Sequence, residues 1–169
     1  AWYFPAASFQ SSSIEVGGMA QDFGTLGDFS LEYVFKPMLF SSYKSIFTYG
    51  YGGHLRFFVG QKVATHWIRL YGGSSSPSYK EASGSTGLVA NKWHHGVSVF
   101  SRTDNKLYIY LNGKLDNIGV DWDGYLENET IAQYSRRIGV WAAPNVAPYP
   151  KQDYLFKGFI SLFRTYRKG

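Results

Sequence analysis

The stretch Trp93-His94-His95-Gly96-Val97-Ser98-Val99-Phe100-Ser101, followed after a short polar break by Lys106-Leu107-Tyr108-Ile109-Tyr110-Leu111-Asn112-Gly113-Lys114, decides the fold. Apolar residues alternate with others along both halves, which is the period of a strand with one buried face. Asn112-Gly113 is the strongest turn signal in the chain, because a two-residue type I′ turn needs positive φ at both centres and Asn and Gly tolerate that best. The pattern predicts two antiparallel strands and, beyond the turn, a third from Lys114 to Asn117. Parity in the first half groups Trp93, His95, Val97 and Val99 as the expected buried set, with His95 a core histidine and His94 on the outer face beside Ser98.

Upstream, Phe29, Leu31, Tyr33 and Phe35 alternate with Ser30, Glu32, Val34 and Lys36, and Pro37, which cannot donate to a ladder, closes that strand. Ser45 to Tyr51 and His54 to Gly60 flank Gly52-Gly53 as a hairpin, and His66 to Tyr71 is a further strand closed by Gly72-Gly73. The Ser-, Pro- and Gly-rich segment from Ser74 to Gly87 reads as an exposed loop. Downstream, Asp121 to Gln133 is acidic and irregular, Arg136 to Trp141 is a short strand, Ala142 to Pro150 is a loop, and Leu155 to Tyr166 is the closing strand. With no helical period, internal repeat or linker, the expectation is one all-β domain over residues 1–169, an antiparallel β-sandwich.

Composition agrees. Aromatic residues make up 19% of the chain and 19 glycines punctuate them, as suits pleated surfaces joined by turns. The absence of cysteine excludes disulfides, thiolate metal sites and a cysteine nucleophile. The net charge of +5 is scattered, apart from Arg136-Arg137 and Arg164-Arg167-Lys168, and reads as a solvated surface rather than a nucleic-acid groove. No apolar run approaches the roughly 20 residues of a membrane span. Ala1 in place of Met suggests a processed chain or an excised domain, and Asn128-Glu129-Thr130 fits an N-glycosylation acceptor, so the expected setting is secreted: extracellular or on a particle surface.

Asn91-Lys92-Trp93-His94-His95-Gly96-Val97-Ser98-Val99 with Lys106 to Lys114 resembles the central hairpin of concanavalin A-like lectin/glucanase domains, in particular their laminin-G-like branch. Gly27-Asp28-Phe29-Ser30-Leu31-Glu32 with Lys36-Pro37 is similar to that family's early strand, and Phe156-Lys157-Gly158-Phe159-Ile160 through Tyr166 to its closing strand. The resemblance implies a concanavalin A-like jelly roll, a superfold that carries lectins, carbohydrate-binding modules, adhesion domains, glycosidases, lyases and virion proteins. It also implies an acidic calcium ligand soon after the start of the closing strand. Ile160-Ser161-Leu162 stands there instead, so no calcium or other cofactor is expected.

Glycosidase chemistry needs two facing carboxylates, and no alternating acid run is present. Asp121-Trp122-Asp123 comes nearest and reads as an acidic surface turn, with Asp121 and Asp123 as weak metal candidates. His66, Arg69 and Tyr71 have the residue types of a lyase without its pattern, so no catalytic residue is assigned. His94 and His95 are strand neighbours that point to opposite faces and cannot share one ion.

The binding candidates follow from parity. If Leu107, Ile109 and Leu111 point inward, Tyr108 and Tyr110 point outward; if Ile68 and Leu70 point inward, Trp67, Arg69 and Tyr71 point outward. Outward rings stack on the C–H face of a pyranose while nearby polar groups bond its hydroxyls, so Trp67, Arg69, Tyr71, Tyr108 and Tyr110 form the expected platform for a glycan or polysaccharide. A second set lies at loops: Tyr49, Tyr51 and His54, then Trp122, Tyr125 and Trp141. The leading expectation is a non-catalytic carbohydrate-binding module. The alternative is a structural or assembly protein, such as a virion or cell-surface building block, whose rings contact protein partners or other copies of the chain; a polysaccharide-cleaving enzyme ranks third.

Overall fold

The computed structural model describes residues 1–4, 14–15, 28–40, 43–51, 54–71, 79–101, 103–119, 135–139 and 156–167. These form β1 (Trp2–Phe4), β2 (Ile14–Glu15), β3 (Phe29–Pro37), β4 (Tyr43–Tyr51), β5 (His54–Lys62), β6 (Thr65–Tyr71), β7 (Tyr79–Gly87), β8 (His94–Ser101), β9 (Lys106–Leu111), β10 (Lys114–Ile118), β11 (Ser135–Ile138) and β12 (Gly158–Arg167). They build two antiparallel sheets. The first runs β1-β12-β3-β8-β9-β10 and the second β2-β11-β4-β5-β6-β7. Among the described residues no helix is long and apolar enough to cross a membrane.

The alternation read in β3 places Phe29, Leu31, Tyr33 and Phe35 in the core. They meet Phe47, Val59, Ile68 and Ala82 of the second sheet in one cluster with Phe100, Leu107, Ile109, Phe156 and Ile160. Ring contacts tie the layers: Phe47 of β4 stacks on Phe163 of β12 at 4.8 Å, and within the first sheet Phe29 stacks on Phe100 at 4.4 Å. Burying each such side chain contributes about 1.5–3 kcal/mol. Asn112 and Gly113 have φ of 51° and 78° between the paired residues Leu111 and Lys114, the two-residue turn expected from the sequence.

Two expectations are corrected. The segment from Ser74 to Gly87 is not loop throughout, since Tyr79–Gly87 is β7 and pairs with β6 along its length. Its small residues serve close packing. Ala82 faces the core opposite Ile68, and a Cβ on Gly84 would lie 1.9 Å from Asp116 Oδ2. Asp116 is the extra residue of a bulge in β10, and its Oδ1 accepts from Thr86 N at 2.8 Å and Ser85 Oγ at 3.1 Å, joining the edges of the two sheets.

The second correction reverses the parity of β8. The inward set is His94, Gly96, Ser98 and Phe100, whereas Trp93 is exposed and His95, Val97 and Val99 lie on the outer face. A buried polar cluster explains the inversion. The Tyr33 ring of β3 lies over Gly96, where a Cβ would approach Tyr33 Cε2 to 2.5 Å, so a larger residue is excluded. The Tyr33 hydroxyl bonds to Nε2 of His66 on β6, across the sandwich, and to Ser98 Oγ at 2.7 Å. His94 is anchored through Nε2 at Val89, whose backbone N–H lies 3.1 Å away, and it packs against Phe35. Apolar content therefore misreads this strand: its inner positions are polar or small because a buried phenol needs partners and space.

Two outcomes follow. Replacing Gly96 by Ala overpacks the Tyr33 ring and is expected to lower stability by about 1–3 kcal/mol in urea unfolding. Burial, opposed by the charge of Asp116, depresses the His66 pKa from 6.5 to about 3. The unfolded chain therefore binds a proton below pH 6.5 that the folded chain refuses, and stability falls as pH drops through that window. The urea midpoint is expected to decline between pH 7 and 5, and His66→Gln to flatten that decline.

Candidate functional site

Strand register lays out the outer face of the first sheet, because residues paired across antiparallel strands share a face. One row runs Tyr166, Ser30, Val99, Tyr108 and Ile118 across β12, β3, β8, β9 and β10. The next runs Arg164, Glu32, Val97, Tyr110 and Leu115, and a third Leu162, Val34 and His95. Arg164 and Tyr166 reach this face only because β12 is bulged at Ser161: Ile160 pairs with Phe35 and Leu162 with Val34, so parity changes there. Without the extra residue the even positions that follow Ile160 would face inward.

The middle of the face is polar and organised. Glu32 Oε1 accepts from His95 Nε2 at 2.9 Å, its Oε2 accepts from the Tyr166 hydroxyl at 2.5 Å, and Arg164 Nη1 stands 4.0 Å away. The bonds from Tyr166 and His95 hold the Glu32 carboxyl below its ordinary range. Beside it the Tyr108 and Tyr110 rings are partly exposed, with Val99 and Val97 as their cross-strand neighbours. The Tyr108 hydroxyl donates to Asp104 Oδ2 at 3.0 Å, which fixes its ring. Leu115 and Ile118 extend the face as exposed apolar groups.

The residues expected to bind are thus divided between sheets. Tyr108 and Tyr110 lie together on the first. Trp67 sits on β6 of the second, outside the core cluster as its parity requires, yet it is 0% exposed and its indole N–H lies 3.3 Å from Glu81 Oε2. The expectation of an open Trp67 ring is corrected: its faces are covered and it offers no stacking surface. Arg69 and Tyr71 hold β6 positions paired with Glu81 and Tyr79, but their side chains fall outside the described residues. The same is true of the Tyr49, Tyr51 and His54 side chains, and Trp122, Tyr125, Trp141, Asp121, Asp123 and the Asn128 acceptor lie wholly outside.

His66, offered for a lyase, is buried in the core and neutral above its depressed pKa, and is out of reach of a substrate. Among the described residues no group of three or more His, Asp or Glu could hold a metal ion. Sequence reading missed Glu32, His95, Arg164 and Tyr166 as a group. Glu32 in the polar half of its strand was a signal, but its partners are 63 and 134 residues away and depend on two strand registers and a bulge.

The chain belongs to the concanavalin A-like lectin/glucanases superfamily, whose family model matches residues 9–168. No match is found among curated protein sequences. Among solved structures, the chain is similar to the CBM40 of the Ruminococcus gnavus IT-sialidase bound to α2,3-sialyllactose, at 15% identity and a TM-score of 0.66, with 92% of this chain and 89% of that one covered. It is also similar to domain 4 of AbnA, an extracellular arabinanase from Geobacillus stearothermophilus in complex with arabinotriose, at 16% identity and a TM-score of 0.56, covering 98% and 80%. A heptameric SAP-like pentraxin from Limulus polyphemus matches at 17% identity and a TM-score of 0.61, covering 83% and 64%. At these identities the likeness is one of fold.

Removing the Tyr166 hydroxyl tests the polar group directly. Tyr166→Phe is expected to raise the Glu32 pKa towards the ordinary carboxylate value, read as a shifted titration of its side-chain carboxyl carbon by NMR.

Proposed function

We propose that the chain is a non-catalytic carbohydrate-binding module acting extracellularly or on a particle surface, and that it binds through the outer face of the first sheet. The observation that carries this reading is the pairing of partly exposed Tyr108 and Tyr110 with the Glu32, His95 and Arg164 group in adjacent rows of one rigid sheet. Rings stack on the apolar face of a pyranose, and ordered polar groups beside them bond its hydroxyls with little further loss of freedom. The solved neighbours bound to sialyllactose and arabinotriose support a glycan as the ligand.

A binding role is favoured over catalysis by the carboxylates. Glu32 is bonded by His95 and Tyr166 and kept ionised, and Asp104 at the end of the face is already bonded by Ser101 and Tyr108, whereas glycoside hydrolysis needs an opposed pair of free carboxyl groups about 5–9 Å apart, one of them protonated. The exposed Leu115 and Ile118 at the β10 edge favour a second reading, in which the same face is a contact in a structural assembly.

A glycan array decides between them. The protein is expected to bind a defined subset of glycans, and Tyr108→Ala and Tyr110→Ala to weaken that binding at least about tenfold, the equivalent of 1.4 kcal/mol, with little change in thermal midpoint. Silence across neutral and acidic glycans, together with a discrete oligomer in size-exclusion chromatography, would replace this reading with the assembly one.

A further inference from the structure

A second aromatic group closes the opposite end of the same face. Tyr3 of β1 pairs with Phe159 of β12, which pairs with Lys36 of β3, and Trp93 enters beside them just before β8. The Tyr3 and Phe159 rings lie 5.0 Å apart and the Trp93 and Phe159 rings 6.4 Å, with Lys36 Nζ 5.4 Å from the Phe159 centroid. Tyr3 and Trp93 remain 51% and 47% exposed. These are large rings held in fixed geometry and open to solvent.

Six residue steps of β3 separate Lys36 from Ser30, which lies in the row of Tyr108 and Tyr166, so these two rows stand about 20 Å apart along the strands at roughly 3.3 Å per residue. Between those rows lie His95 and then Glu32 and Arg164, which share their row with Tyr110. The order along the strands is therefore rings, hydrogen-bonding groups, rings, a span too long for a disaccharide. Charge distinguishes the two ends. The Tyr3 end carries Lys36 and, in the turn whose Asn91 N–H donates to the Pro37 carbonyl, the exposed Lys92, with no carboxylate in this row among the described residues. The far end carries Asp28 and Asp104, bonded to Thr103, Ser101 and Tyr108.

We infer that Tyr3, Phe159, Trp93 and Lys36 form a second subsite, continuous with the first, which takes an acidic unit of an extended glycan chain. This rests on the reading of the face as glycan-binding and adds to it both the length and the charge of the ligand. Stacking at both ends by one chain makes the second contact intramolecular, so affinity grows with chain length until both ends are reached. The lysines select a carboxylate or sulfate at the Trp93 end, an attraction that salt screens.

The test uses the whole chain in titration calorimetry against ladders from disaccharide to decasaccharide of hyaluronan, polygalacturonate and chondroitin sulfate, each beside its uncharged form (carboxyl-reduced, and for chondroitin sulfate both carboxyl-reduced and desulfated), with xylan and arabinan ladders as neutral probes. Affinity for an acidic ladder is expected to rise at least about tenfold, or 1.4 kcal/mol, between disaccharide and hexasaccharide. Trp93→Ala should abolish that rise and Trp93→Phe restore it in part. Lys36→Gln should remove the preference for the acidic over the reduced ladder, and 0.5 M salt should do the same. Binding that depends on Tyr108 but not on chain length or Trp93 overturns the second subsite while leaving the glycan reading intact. Equal affinity for charged and reduced ladders overturns its acidic specificity. Silence of the wild-type chain towards every ladder overturns the glycan reading and this inference with it.

Discussion

The hydrogen bond from Tyr33 to His66 is the constraint on which the arrangement of the first sheet depends. It is a polar link through an apolar core, joining β3 of one sheet to β6 of the other, and Ser98 of β8 shares it. A buried phenol left unbonded is costly, by about 1–3 kcal/mol, so the two sheets are held in the one relative position that satisfies it. Burial raises the proton affinity of Tyr33 and lowers that of His66, which keeps both groups neutral across the ordinary pH range. The same bond requires Gly96 beneath the ring and Ser98 beside the hydroxyl, and so turns Val97 and Val99 outward to become the floor next to Tyr110 and Tyr108.

How far the sequence could be read follows from the range of the interactions involved. Local signals held: the period of Phe29 to Phe35, the Asn112-Gly113 turn and the alternation of Leu107, Ile109 and Leu111 each depend on neighbours a few residues away. Two antiparallel sheets and membership of the concanavalin A-like superfamily were accessible from them. The parity of β8 was not, because valines usually mark the buried side and here the buried side is chosen by a tyrosine 63 to 65 residues away. Trp67 shows a different limit. Its face of the sheet was legible, but whether that face is open depends on what packs over it, which alternation does not encode.

The polar centre of the outer face is built from distant parts of the chain with little freedom left in any of them. Glu32 lies mid-strand with both oxygens bonded, and His95 and Tyr166 come from the strands on either side of it. Tyr108 is tied at its hydroxyl and backed by the strand ladder. A surface fixed before a ligand arrives loses little conformational entropy on binding, so in the proposed glycan-binding role a few contacts would suffice for specificity and selectivity would reside in spacing rather than in adaptation. The six-stranded sheet supplies that spacing. A flexible loop would not.

The single extra residue at Ser161 has a bearing on how relatives of this chain are compared. Strand alternation is a binary code, and an insertion of one residue inverts every letter after it. A relative aligned to the closing strand without a gap at this point would match Arg164 and Tyr166 to side chains on the other side of its sheet, and would credit its core residues with recognition and its recognition residues with packing. Function can therefore diverge within this superfamily with hardly any change in composition, by adding or losing one position, and percentage identity would scarcely register it.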